Sequence, residues 1–177
     1  MKKILGFFML TAVLAFAGCG GGKNSENSES QSAAVLPPLQ NDEPLADGET
    51  FYAGQTTEMD KVDKFEIGLV MAADKKTVNK IIVRYQNLNC EYMDGNVLST
   101  IIGSSGTSYY YGPFSIDSSN EIVWDDGSNR IANLTFDADG ATGFVSYSYS
   151  ADGDMGKKIY VPIGSATIRF SPQSSEQ

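Results

Sequence analysis

Phe65-Glu66-Ile67-Gly68-Leu69-Val70-Met71-Ala72 is the stretch on which the fold turns. Phe65, Ile67, Leu69 and Met71 fall on one side of a period-two backbone, and Glu66, Gly68, Val70 and Ala72 on the other. The stretch therefore predicts a β-strand with one strongly apolar face. Asp74-Lys75-Lys76 reads as the turn behind it. Beyond that turn, Ile81, Val83 and Tyr85 alternate with Lys80, Ile82 and Arg84, a second strand rich in β-branched residues.

The same grammar continues toward the C-terminus. Cys90 and Tyr92 lead into Asp94-Gly95, and Val97, Ser99 and Ile101 follow. Asp-Gly between two apolar runs predicts a hairpin closed by a type I′ turn, which needs positive φ at both central residues. Gly103-Ser104-Ser105-Gly106-Thr107-Ser108 reads as a loop by composition. Tyr109-Tyr110-Tyr111 and Phe114-Ser115-Ile116 read as strand, broken or bent at Gly112-Pro113. Further strands are expected over 121–124, 130–136, 143–150, 158–161 and 166–170, with clusters of Asp, Gly, Asn and Ser between them. Outside the first residues no window has a helical period, and 61–64 or 74–79 supplies one helical turn at most. Nine or ten short strands predict an all-β fold, a single antiparallel β-sandwich or barrel-like domain. It spans residues 49–172, with a polar tail at 173–177. About 125 residues suffice to bury a core without a staple.

Composition narrows the chemistry. The chain carries 13 Lys and Arg against 22 Asp and Glu, a net charge of −9. Nucleic acid and anionic membrane surfaces need a positive face, so neither is an expected ligand. Histidine is absent from the sequence. That removes the usual general base, the commonest metal ligand and the switch that titrates near neutrality. No cofactor is expected.

The N-terminus has a different character. Met1-Lys2-Lys3 is a short positive start, Ile4 to Phe16 is apolar apart from Gly6 and Thr11, and Phe16-Ala17-Gly18-Cys19 puts two small residues before a cysteine. This is the layout of a secretory signal. About a dozen apolar residues are too few to span a bilayer, which needs roughly 20. The stretch resembles a bacterial lipoprotein signal with its lipobox at Phe16 to Cys19. That resemblance implies a signal peptide over 1–18, acylation of Cys19, and an anchor in the lipid bilayer on the extracytoplasmic side of the bacterial cell envelope, in the outer membrane if the source is Gram-negative. A second reading takes Ala15-Phe16-Ala17 as an ordinary A-x-A site and gives a secreted protein that keeps Cys19 as a thiol. Removing 1–18 takes away Lys2 and Lys3, which leaves 11 basic against 22 acidic residues, net −11. With Cys19 acylated, Cys90 stands alone and no intramolecular disulfide forms. Residues 19–48 read as the lipidated cysteine and a flexible linker: 23–32 contain no apolar side chain, and Pro37, Pro38 and Pro44 disfavour helix. As a coil, such a linker reaches roughly 30 Å.

Three groups of residues are candidates for a site. Trp124 abuts Asp125-Asp126, and Tyr109, Tyr110 and Tyr111 form a run in which alternation turns at least one ring away from the core. Rings beside carboxylates suit sugars, whose apolar faces stack while their hydroxyls donate; the competing reading is core filling. Asp137-Ala138-Asp139-Gly140 begins like a calcium loop, but its twelfth residue is Ser148 and not the Glu that pattern requires. Asp137 and Asp139 are weak calcium candidates, and hairpin turn is the better reading. Cys90 lies between Asn89 and Glu91 with no basic partner, so it reads as a small buried hydrophobe and not a nucleophile. The function expected from all this is a non-enzymatic binding or structural domain on a membrane anchor, taking carbohydrate or an envelope protein as partner. The alternative is a small glycan hydrolase using two loop carboxylates, a reaction that needs no histidine.

Overall fold

Phe65, Ile67 and Leu69 need a partner for their apolar face, and each finds one directly across the next strand, in Tyr85, Val83 and Ile81. In the computed structural model, which describes residues 37–153 and 156–174, this pairing lies within a single eight-stranded antiparallel sheet. Its strands are β1 (Thr50–Thr56), β2 (Lys64–Met71), β3 (Thr77–Asp94), β4 (Val97–Ser115), β5 (Ile122–Trp124), β6 (Asn129–Asp137), β7 (Gly140–Asp152) and β8 (Lys158–Gln173). Among the described residues there is no α-helix. The signal segment, Cys19 and the linker up to residue 36 lie outside them.

The order across the sheet is β4-β3-β2-β1-β8-β7-β6-β5. Every strand but β4 thus neighbours the next in sequence, and β8 returns to β1 through Phe51–Gln173, Tyr52–Pro172 and Ala53–Ser171. The break is between β4 and β5. Rings from opposite halves of the sheet meet across its concave side: Phe65 on β2 lies 5.3 Å from Tyr147 on β7, and Tyr85 on β3 lies 5.9 Å from Tyr149 on β7. The sheet is curled on itself, and its main core fills the curl. Phe65, Ile67, Val83, Ile131, Val145, Ile163 and Phe170 are all sealed from solvent there.

Several sequence expectations change. Fewer strands are present than nine or ten, because 158–161 and 166–170 fuse into β8 and the tyrosine run fuses with its flanks into β4. The stretch 103–108 is not a loop but the middle of β4, where Ser104, Gly106 and Thr107 pair with Leu88, Tyr85 and Arg84. Its composition has poor β propensity, but a long partner strand supplies the ladder, and two register shifts absorb the misfit. Gly112-Pro113 is a cis peptide inside the same strand, beside a further register shift at Val78/Lys80. The hairpin at residue 95 is present, but Asp94 pairs with Val97, so Gly95 and Asn96 are central. Only Gly95 of the two has positive φ, the signature of a type II′ turn. β1 carried no separate sequence signal.

The outer face of β1–β3 holds a second, smaller core. Leu39, Phe51, Val70 and Ile82 pack together with Leu45 and Ala53 against them. Leu39 and Leu45 come from residues expected to belong to the free linker; instead, the segment from Pro37 onward is part of the folded unit. Gly68 is its floor: a Cβ there would come within 2.5 Å of the Phe51 ring and 3.3 Å of Leu39.

Candidate functional site

Strand alternation sorts the tyrosine run onto two faces. Tyr110 points into the curl, where its hydroxyl lies 2.8 Å from that of Tyr147 and its ring meets Trp124 edge-on at 6.0 Å. Burial raises the pKa of both tyrosines above the ordinary value. Trp124 is 3% exposed, and its Nε1 has no hydrogen-bond partner. The only tryptophan is therefore core and presents no open ring face. Tyr109 and Tyr111 take the opposite side, the outer face, with 43% and 64% of their surface exposed.

Between those two rings sits Lys80. It is the cross-strand partner of Tyr111, and its Nζ lies 5.3 Å from the centroid of Tyr111 and 5.0 Å from that of Tyr109. These are cation–π distances. The lysine is 4% exposed, and burial disfavours the charged ammonium. Two acids from the segment before β1 offset this: Nζ donates to Asp42 Oδ1 at 2.5 Å and to Glu43 Oε2 at 3.1 Å. Burial alone would lower the pKa of Lys80, and the hydrogen bonds to Asp42 and Glu43 outweigh it and raise it. In return Lys80, with a smaller contribution from Tyr109, holds the Asp42 carboxyl below its ordinary value. Asp42 and Glu43 remain about half exposed, so their outward oxygens are open to a ligand.

Beyond Ile82 on the same face lies the converse arrangement, one buried acid held by two cations. Arg84 grips Glu66 through Nε at 2.5 Å and Nη2 at 2.9 Å, and Lys64 adds a contact at 3.1 Å. Burial would raise the Glu66 pKa, but Arg84 and then Lys64 bring it below the ordinary value. Arg84 also donates to the Pro37 carbonyl at 2.7 Å, tying the start of the covering segment to the sheet. A cleft of about 520 Å³ runs beneath that segment, lined by Leu39, Asn41, Glu43, Phe51 and Gln173 among others.

The remaining candidates lie elsewhere. Asp125 and Asp126 form the β5–β6 turn, both with positive φ, and accept from the Tyr160 hydroxyl at 3.4 and 3.2 Å. Burial and then the two carboxylates push Tyr160 up to about 12. Asp125 also accepts from buried Asn129 at 3.4 Å and faces Lys158 at 3.7 Å. Asp137 and Asp139 sit at the β6–β7 turn, where Arg169 grips both oxygens of Asp137 and holds its carboxyl at about 2. A guanidinium already occupies the oxygens a calcium ion would need. Among the described residues no group of three acids or cysteines is placed to hold a metal. Cys90 is buried and free, its thiol pushed up by desolvation.

The expected constellation of Trp124, three tyrosines and two aspartates is thus divided among the core, the outer face and a turn. Lys80, Asp42 and Glu43 complete the outer-face group. The sequence did place Lys80 on the face opposite Ile81, but the acids that meet it lie 37 and 38 residues away, with no local pattern linking them. No family model, curated protein or solved structure matches the chain.

Proposed function

We propose that this chain is a lipid-anchored extracytoplasmic protein whose β-domain binds carbohydrate on its outer face and catalyses no reaction. The carrying observation is the pair Tyr109 and Tyr111, two exposed rings on one face of β4 beside the half-exposed carboxylates of Asp42 and Glu43. Sugar C–H faces stack on the rings and hydroxyls donate to the carboxylates. Lys80 underneath is spent on the two acids and fixes their position, so the surface offered to a ligand is acidic. A neutral or amino sugar fits it and a polyanion does not. Of the two all-β architectures expected, we read the curled sheet as the barrel-like one, opened between β4 and β5. The anchor rests on the lipobox-like residues ending at Cys19.

A thermal-shift panel of neutral, amino and acidic glycans tests the binding. The expected result is stabilisation by one or more neutral or amino glycans, with no release of reducing sugar. Release of reducing sugar would move the protein to the hydrolases, and a panel with no shift would remove the carbohydrate reading.

A further inference from the structure

The two ends of the sheet are built differently. β5 is three residues long and is flanked by Glu121 and by Asp125-Asp126. Shortness and charge are how sheets keep an edge from pairing with another chain. β4 is neither short nor charged, although register shifts on β3 and the positive φ of Gly103 interrupt its middle. It runs 19 residues, Val97–Ser115, without a single Asp, Glu, Lys or Arg, in a chain of net charge −9. Its ladder bonds go to β3 alone. The register of β2 on β3 ends at Gln86, Asn89 still donates to the Lys61 carbonyl, and Leu88 and Cys90 are buried in the core; beyond Cys90 β3 and β4 continue as a two-stranded ribbon. Such ribbons are marginal by themselves. This one leaves Met93, Val97, Leu98 and Ile102 exposed, Ile102 at 80%.

We propose that two copies of the chain join edge to edge through residues 97–107 of β4, paired antiparallel about a two-fold axis. Charge singles out a second copy as the occupant. Two molecules of net −9 repel over most of their surface, and this strand is a long edge where no like charges are opposed. An antiparallel pair of identical strands places residue i against j and j against i. Every residue from 97 to 107 is apolar, Gly, Ser or Thr, so each such meeting is apolar or hydroxyl-bearing. The pairing stops before the second half of β4, where Tyr110 already meets Trp124 of β5 and Pro113 lacks a donor. Edge pairing leaves both faces of the sheet open, so the inference stands independently of the carbohydrate reading.

Sedimentation equilibrium of the full chain in density-matched detergent tests it, with wild type beside the double variant Leu98→Lys/Ile102→Lys. Both positions are exposed in the single chain, so the variant should melt with wild type at concentrations low enough for wild type to be monomeric. The expected result is a dimer for wild type and a monomer for the variant. Amide exchange gives a second reading on wild type alone: protection of 97–107 should rise with protein concentration. A monomeric wild type, a variant that still dimerises, or β4 protection independent of concentration would each overturn the proposal.

Discussion

Ile67 and Val83 face each other at the centre of the concave side, fully buried. An aspartate at either would place an unpaired carboxylate among apolar neighbours, at a cost of several kcal/mol, comparable to the whole stability. Ile67→Asp and Val83→Asp should each abolish the cooperative melting transition. Trp124 makes a graded test. Its ring is buried against Tyr110, so Trp124→Ala should cost about 3–5 kcal/mol and lower the midpoint by roughly ten degrees or more. A midpoint like wild type would mean that the ring is not core. Ionisation can be read in the same way. Arg169 holds Asp137 at about 2, so its carboxyl carbon should titrate near that value, and Arg169→Gln should return it toward about 4. The depressed value contributes stability above about pH 4 that is lost as the pH falls toward 2. The pair is exposed, so the contribution is small.

At the scale of elements, alternation and turn chemistry carry local information, and the sequence was legible where they suffice. Phe65 to Met71 and Ile81 to Tyr85 read correctly as strands because half of each must face a core. The chain at 103–108 read as a loop because its Gly and Ser say nothing of the long partner that pairs with it. Residues 37–48 read as tether for the same reason: Leu39 meets Phe51, Val70 and Ile82, all remote in sequence. The tyrosine run was half legible. Alternation required two faces, but the ring facing inward is set by the register of Ile81 opposite Tyr110. The covering segment has its own test. A chain beginning at Pro37 should be more stable than one beginning at Glu49, which loses Leu39 and both acids that hold Lys80. Leu39 alone accounts for about 2 kcal/mol. The clamp also has a pH window. The lowered Asp42 pKa gives stability that is present above about pH 4 and lost as pH falls through the folded value. The raised Lys80 pKa gives stability that is intact below about pH 10 and lost as pH rises through the folded value. NMR shifts of the 37–48 amides should therefore stay constant between those limits and move beyond them.

On the scale of the whole molecule, the sheet divides its surface into parts with separate tasks. The curl supplies stability; in the proposed reading the outer face of β2–β4 is the binding surface and Cys19 the attachment. If Cys19 carries lipid, native protein should partition into detergent and Cys19→Ala should remain uncleaved or mislocalised. An intact mass starting at Gly18 would instead mark the secreted form. Carbohydrate binding, as proposed, depends on the outer face, because the tryptophan that composition offered as a platform is enclosed. The most direct measurement is calorimetric titration of the most stabilising glycan from the panel into wild type and into Tyr109→Ala/Tyr111→Ala. The variant loses two cation–π contacts to Lys80, together on the order of 1–2 kcal/mol, so its midpoint should fall by several degrees while it stays folded at the titration temperature. Its affinity should fall at least about tenfold, on the order of 1.4 kcal/mol. Equal affinity in the two proteins would contradict a binding surface built on Tyr109 and Tyr111.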